Sequence, residues 1–132
     1  MLRCEVIVEG KGRLKGRLNV VDEPVSFLGM VNPQKGVLSI GDREIDVKGG
    51  ILAFPYMVGS TVAPYIIYSM KKKGTAPLAI VVKKVDALLA SGCALSEIPL
   101  LKVEESVFEA LKAQNGREIS VDTAKGVISY EP

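Results

Sequence analysis

An uncharged stretch from Gly49 to Met70 restricts the possible folds of this sequence more than any other feature. It is long enough to cross a bilayer as a helix, which takes about 20 apolar residues. Pro55, Gly59 and Pro64 would each interrupt such a helix. A buried strand, a loop and a buried helix account for the same composition, so we expect a soluble fold without a membrane span.

Short strands and helices are predicted for the rest of the chain. Apolar residues make up 48% of the 132 residues, which suffices for one domain spanning residues 1–132. Apolar runs and alternation predict strands at 2–8, 18–21, 37–40, 44–47, 51–54, 78–82, 98–103, 118–121 and 127–130. Helices are predicted at about 61–73, 87–91 and 106–113. This order favours a single α/β domain with a mixed sheet.

Glycines and prolines mark the expected breaks between these elements. A turn containing Gly10, Gly12 and Gly16 is predicted before the strand at 18–21, and a loop is predicted over 23–36. Gly74 suits the end of the helix at 61–73. The expected face of that helix carries Val62, Tyr65, Ile66, Ser69 and Met70. The opposite side carries Ala63, Ile67 and Tyr68, so we expect the helix to be covered on more than one side.

Charge and residue content exclude several classes of function. The net charge is +2 and no stripe of basic residues is visible, which argues against a nucleic-acid partner. The short clusters Lys71–Lys73 and Lys83–Lys84 are predicted to be solvated. The chain has no histidine, so it cannot form a Ser–His or Cys–His catalytic pair by itself.

The two cysteines, Cys4 and Cys93, are far apart in the sequence. They predict neither a disulfide framework nor a zinc site, and an iron–sulfur cluster normally takes three or four thiolates. We therefore expect no metal site on this chain alone. The first ten residues contain charges and no long apolar segment, so they do not resemble a secretory signal and predict a cytoplasmic protein.

Gly59-Ser60-Thr61 is the strongest local signal for chemistry. A buried strand runs into this loop, and a helix is predicted to begin at Ser60. The amides of Thr61, Val62 and Ala63 would then be first-turn donors without helical acceptors, and the site would favour an anion. The uncharged surroundings would strengthen it by keeping water away. Alternatively, Ser60 only caps the helix, a role worth about 1 kcal/mol.

Several segments in order resemble one protein family. They are SFLGMVNPQKG (26–36), ILAFP (51–55), GSTV (59–62) with Tyr65, GTAPLAI (74–80), SGCA (91–94) and EIP (97–99). This set covers nearly the whole chain and resembles the aconitase X swivel domain. More narrowly, it is similar to the small subunits of archaeal phosphomevalonate dehydratases.

The resemblance implies both a fold and a function. The fold would be the swivelling β/β/α domain of aconitases, with a mixed sheet and packed helices. The chain would pair with a large subunit that holds a 4Fe–4S cluster, and would bind none alone. The pair would be a hydro-lyase that converts (R)-5-phosphomevalonate to trans-anhydromevalonate 5-phosphate, a step of the archaeal mevalonate pathway to isoprenoids. Ser60 would be the proton acceptor, and Gly59, Thr61 and Val62 would bind the substrate.

The loop departs from the family pattern at Tyr56, Met57, Ala63 and Pro64, which replace glycine or serine. These bulkier residues leave two alternatives open. One is a dehydratase subunit for another hydroxy acid, such as hydroxyproline in the aconitase X type. The other is a non-catalytic binding domain of the same fold. The pattern does not identify the basic residue that meets the phosphate; Arg13, Arg43 and Lys48 are candidates.

Overall fold

In a computed structural model of the protein, residues 1–59 and 61–130 are described. The described strands are β1 Leu2–Arg3, β2 Glu5–Val8, β3 Arg13–Val20, β4 Val31–Asn32, β5 Val37–Ile40, β6 Arg43–Asp46, β7 Ile51–Phe54, β8 Ala79–Val82, β9 Leu100–Lys102, β10 Glu118–Asp122 and β11 Val127–Tyr130. The described helices are α1 Phe27–Met30, α2 Ala63–Lys73, α3 Ala87–Leu95 and α4 Glu105–Ala113.

A mixed eight-stranded sheet forms the centre of the fold, in the order β1-β11-β10-β3-β7-β8-β9-β2. The neighbours β3, β7, β8 and β9 run parallel, whereas the other pairs are antiparallel. A separate antiparallel sheet contains β4, β5 and β6. The predicted fold class, a mixed α/β sheet with packed helices, is confirmed.

Two apolar clusters lie on opposite faces of the sheet, because successive strand residues point to opposite sides. In β7, Leu52 and Phe54 belong to the first cluster, and Ile51 and Ala53 belong to the second. The first cluster includes residues of α1, α2, α3 and the three-stranded sheet. The second joins the strands to α4 and to the terminal hairpin β10–β11. All four β7 residues are buried, which explains the uncharged sequence there.

The prediction of a turn containing Gly16 is wrong, because β3 already begins at Arg13. Gly16 lies inside this strand and pairs with Ile119 of β10. A Cβ atom at Gly16 would lie 3.3 Å from the carbonyl oxygen of Gly49. The glycine therefore permits a close approach of two backbone segments rather than a turn.

The predicted loop at 23–36 contains the short helix α1 and the strand β4. The strand predicted at 2–8 is divided into β1 and β2 at Cys4, where the chain changes partners from β11 to β9. These corrections concern pairing between distant segments. The strands at 37–40, 44–47, 51–54 and 78–82, the helix at 106–113 and the terminal hairpin are confirmed to within one or two residues.

The buried face of α2 differs from the predicted one and consists of Ala63, Ile67 and Met70. Tyr65 is 73% exposed and Tyr68 is 41% exposed, so the expectation that the helix is covered on more than one side is wrong. Its end is as predicted: Gly74 adopts a left-handed conformation, with φ of 74°, and its amide bonds to the carbonyls of Met70 and Lys71.

The helix α3 continues to Leu95, beyond its predicted end near Gly92. A Cβ atom at Gly92 would lie 3.0 Å from Pro64 Cα and 3.0 Å from Ile67 Cδ1. Gly92 thus permits close packing of α3 on α2 and does not end the helix. Within residues 1–59 and 61–130, no helix is long and apolar enough to cross a membrane.

Candidate active site

The loop that carries the predicted site leaves the carboxyl end of β7 and leads into α2. The carbonyl oxygen of Pro55 accepts hydrogen bonds from the amides of Lys83 (2.9 Å) and Lys84 (3.1 Å). These bonds fasten the start of the loop to the segment that follows β8. Because β7 and β8 are parallel, both segments emerge at one edge of the sheet, where ligands commonly bind in α/β folds.

A second attachment holds the middle of the loop against the segment after β3. The Val25 amide donates to the Tyr56 carbonyl (3.1 Å), and the Val58 amide donates to the Val25 carbonyl (3.0 Å). Met57 lies between these two bonds and is buried. Residues 55–58 are therefore fixed on both sides, and they present Gly59 at the rim of the sheet.

The predicted site residues lie on this rim as far as the structure describes them. Gly59 and Thr61 are exposed, and Val62 is 37% exposed. Gly59 has φ of +101°, a conformation that favours glycine. Ser60, the predicted proton acceptor, lies outside the described residues. The structure therefore brings Gly59, Thr61 and Val62 to one exposed loop at the strand ends.

The helix α2 begins later than predicted, so the expected start at Ser60 is wrong. Its N-cap is Val62, whose carbonyl accepts hydrogen bonds from the amides of Tyr65 (3.0 Å) and Ile66 (3.2 Å). Pro64 has no amide hydrogen. In the described part of the chain, Ala63 therefore supplies the first-turn amide that lacks a helical acceptor. This makes the helix start a weaker anion site than the sequence predicts.

Several apolar side chains in the loop and in the helices α1 and α2 are open to solvent. Tyr65 of α2 and Leu28 of α1 are 73% and 61% exposed, and Val58 is also exposed. The sequence predicts a site that keeps water away from its dipoles. The described rim residues are exposed, so they do not themselves exclude water from the loop.

Three lysines lie where β8 and β9 end, beside the start of the loop. Lys83, Lys84 and Lys102 line a cavity of about 260 Å³. Lys83 Nζ forms an ion pair of 2.7 Å with Glu105, so this lysine is not simply solvated as predicted. Lys84 Nζ lies 5.8 Å from the centre of the Tyr56 ring. The sequence does not predict these contacts. Lys83 and Lys84 directly follow the predicted buried strand at 78–82, however, and this position could have indicated a basic site at the edge of the sheet.

The basic residues considered from the sequence lie elsewhere. Arg43 and Lys48 line a cavity of about 480 Å³ with Gly49 and Gly50, which precede β7. The loop with Gly59 follows β7, so these two basic residues lie at the opposite end of that strand. Arg13 lines a different cavity, on the β10–β11 hairpin. None of the three converges with the loop.

The thiols do not fit an iron–sulfur cluster. Cys93 is buried in the first apolar cluster, whereas Cys4 packs against the second, on the other face of the sheet. Burial raises the pKa of Cys4 to about 11 and that of Cys93 to about 12, which disfavours the thiolates that bind metal. Among residues 1–59 and 61–130, no three His, Cys, Asp or Glu side chains group to hold a metal ion.

The fold and the loop define a swivel-type domain, and comparison with known proteins specifies its family. The sequence profile of the aconitase X swivel domain matches residues 1–130. The chain therefore belongs to the aconitase X swivel domain family.

Relatives of known sequence and known structure agree with this assignment. The "Phosphomevalonate dehydratase small subunit" of Thermococcus sibiricus is 40% identical over 91% of this chain and 92% of its own length. The protein of the same name from Archaeoglobus fulgidus is 39% identical over 95% of this chain and 94% of its own length. The crystal structure of Thermococcus kodakaraensis aconitase X (holo-form) superposes with a TM-score of 0.87 at 33% identity, covering 99% of this chain and 98% of that one. A solution NMR structure of a UPF0107 protein superposes with a TM-score of 0.86 at 35% identity, covering 98% of each chain.

Proposed function

We propose that this chain is the small subunit of a heteromeric dehydratase, a hydro-lyase, that converts (R)-5-phosphomevalonate to trans-anhydromevalonate 5-phosphate. In this proposal it acts in the cytoplasm, in the archaeal mevalonate pathway. The observation that carries the proposal is its similarity to proteins named phosphomevalonate dehydratase small subunit. The match to two of them spans more than nine-tenths of each chain, so it includes the loop at 55–62.

Ser60 is proposed as the proton acceptor in this reaction. The elimination breaks one C–H bond and one C–O bond of the substrate, forms a C=C bond, and releases one water. A serine hydroxyl is a weak acid, so its oxyanion must be stabilised before it can accept the proton. Gly59 is exposed and carries no side chain, so a substrate can approach the backbone next to Ser60 in the sequence. The Ala63 amide lies at the helix start, but this residue is buried.

A large subunit is needed in this proposal for two reasons. The described residues do not form a metal site, so the 4Fe–4S cluster is assigned to the partner. The rim around Gly59 is also exposed, with Tyr65 and Leu28 open to solvent. A partner that covers this rim would exclude water from the loop and strengthen its electrostatic interactions.

Co-expression with the large subunit and replacement of Ser60 tests the proposal. The purified complex should dehydrate phosphomevalonate, and Ser60→Ala should lower kcat about 10²-fold or more, the scale usual for a positioned acid–base group. Ser69→Ala is the matched control. Ser69 lies on α2, and its hydroxyl accepts a hydrogen bond of 2.7 Å from Lys73 Nζ. This control should retain wild-type turnover.

The outcomes separate the two parts of the proposal. A Ser60→Ala complex with normal kcat removes Ser60 from catalysis but leaves the subunit assignment in place. A wild-type complex that dehydrates another hydroxy acid instead, such as hydroxyproline, overturns the substrate. Activity of the isolated small subunit contradicts the need for a partner.

A further inference from the structure

We propose that Lys84 and Lys102 bind the phosphate group of the substrate, in the cavity at the carboxyl ends of β7, β8 and β9. This inference rests on the function proposed above, which supplies a substrate with a phosphate at one end. It adds a binding site that the sequence pattern does not identify. The site lies on the edge of the sheet that carries the loop with Gly59.

The cavity is built from the segments that immediately follow three parallel strands. Its volume is about 260 Å³, and its lining residues are Pro55, Tyr56, Lys83, Lys84, Lys102, Val103, Glu104 and Glu105. β7 ends at Phe54, β8 ends at Val82, and β9 ends at Lys102. Ligands of open α/β sheets commonly bind outside the carboxyl ends of the strands.

The cavity and the candidate loop share part of the chain. Pro55 and Tyr56 line the cavity and also begin the loop that leads to Gly59. The Lys84 amide donates a hydrogen bond of 3.1 Å to the Pro55 carbonyl, so the backbone of Lys84 is held against the start of the loop. The cavity and the loop therefore share the backbone of Pro55 and Tyr56 at one edge of the sheet. The cavity lies on the β8–β9 side of this shared segment, and Gly59 lies on the side of Val25 and Ser26.

The charges in the cavity leave two ammonium groups available. Lys83 is occupied, because its Nζ pairs with Glu105 at 2.7 Å and lies 4.9 Å from the centre of the Phe108 ring. Among the described residues, neither Lys84 nor Lys102 forms an ion pair with a carboxylate. Glu104 supplies one opposing charge. The lining holds three lysines and two carboxylates, Glu104 and Glu105, so its net charge of +1 would attract a phosphate dianion. Glu5 of β2 is the cross-strand partner of Lys102 but does not line this cavity.

The Tyr56 ring orients one of these lysines. Lys84 Nζ lies 5.8 Å from the ring centre, within the range of a cation–π contact. Such a contact limits the rotamers of the long side chain and reduces the entropy lost when phosphate binds. Tyr56 is 39% exposed and projects from a backbone that is fixed by Val25. The bulky residue at this position thus has a role in the site.

The experiment uses the complex with the large subunit and replaces single lysines by methionine, which keeps the length of the side chain. Lys84→Met and Lys102→Met should each raise the KM for phosphomevalonate at least about tenfold, the value of one charge-assisted contact. Because the phosphate is remote from the bonds that break, kcat should stay within about twofold. Lys84→Arg should retain most of the affinity.

Lys48→Met is the matched control, because Lys48 lines the cavity at the opposite end of β7. It should leave KM and kcat at wild-type values. Inorganic phosphate provides a second readout: it should inhibit the wild-type complex competitively, and the inhibition constant should rise in the Lys84→Met complex. A structural defect alone would lower kcat and would leave the inhibition constant unchanged.

The possible failures are distinguishable. If the wild-type complex dehydrates phosphomevalonate but Lys84→Met and Lys102→Met keep its KM and its inhibition by phosphate, this inference is overturned and the proposed function stands. An equal effect of Lys48→Met also overturns it, since the effect would then be one of general charge. If the wild-type complex does not act on phosphomevalonate, the proposed function fails and this inference fails with it.

Discussion

Gly59 lies so close to Ser26 that a Cβ atom added at Gly59 would stand 3.0 Å from Ser26 Oγ. The same residue has φ of +101°, which L-amino acids with side chains rarely adopt. The positive φ is therefore the main reason for glycine here, and a Cβ atom would in addition displace the Ser26 hydroxyl slightly. Gly59 directly precedes Ser60, the proposed proton acceptor, in the sequence.

Replacement of Gly59 by alanine should destabilise the protein. The backbone conformation alone costs a residue with a Cβ atom about 1–2 kcal/mol. Denaturation by urea should show the loss in the free energy of unfolding. Gly29→Ala is the control, because a Cβ atom there meets nothing within 4 Å and its φ is not positive. Equal stability of the two variants would contradict the strain at Gly59.

Burial explains which elements the sequence predicts well. Every residue of β7 and of β8 is buried, so both segments are uncharged and apolar and are visible as strands. The terminal hairpin is visible because polar turn residues separate two alternating segments. Gly74 marks the end of α2, since the left-handed conformation there favours glycine. Local preference and the final structure agree at these places.

Tertiary contacts explain what the sequence does not predict. Gly92 continues α3, because its missing side chain makes room for Pro64 of α2. The helix α2 starts at Ala63, because the first helical hydrogen bonds are accepted by the Val62 carbonyl. From the sequence, the polar residues Ser60 and Thr61 predict an earlier start. The contact of Lys84 with Tyr56 joins two residues far apart in the chain. Of the candidate site, the sequence predicts the loop but not its basic neighbours.

The aspartate before α3 should contribute measurably to stability. Asp86 Oδ1 accepts hydrogen bonds from the amides of Leu88 (2.8 Å) and Leu89 (3.2 Å), which have no helical acceptors. Asp86→Ala should therefore lower the free energy of unfolding by about 1 kcal/mol. Asp86→Asn should be close to wild type, since asparagine caps helices equally well. Thermal unfolding of both variants provides the measurement, and a loss of the same size in both would point to charge rather than capping.

Glu97 is a position where glycine should increase stability. It follows α3 with φ of 57°, and the Ile98 amide donates to the Cys93 carbonyl at 2.9 Å, closing the helix end. A left-handed conformation is costly for glutamate, so Glu97→Gly should raise the free energy of unfolding by about 0.5–1 kcal/mol. At the end of α2, Gly74 has the same left-handed conformation, so Gly74→Ala should lower the free energy of unfolding by about 1 kcal/mol. A destabilised Glu97→Gly variant would show that the carboxylate has a structural role.

The ion pair between Lys112 of α4 and Asp22 should make stability depend on pH. Lys112 Nζ lies 2.7 Å from Asp22 Oδ2, and this hydrogen bond lowers the pKa of Asp22 below 3.8 and raises the pKa of Lys112 above 10.5. The contribution of Asp22 is complete above pH 3.8 and is lost as the pH falls through its lowered pKa. The contribution of Lys112 is complete below pH 10.5 and is lost as the pH rises through its raised pKa. Lys112→Met also removes the 3.1 Å ion pair of Lys112 with Glu109, and it should be less stable than wild type between these limits. Urea denaturation across pH should show the difference shrinking in acid and at high salt. Adding Asp22→Asn to Lys112→Met should cost little more, because the pair is already broken; a large additional loss would show that Asp22 acts through another contact.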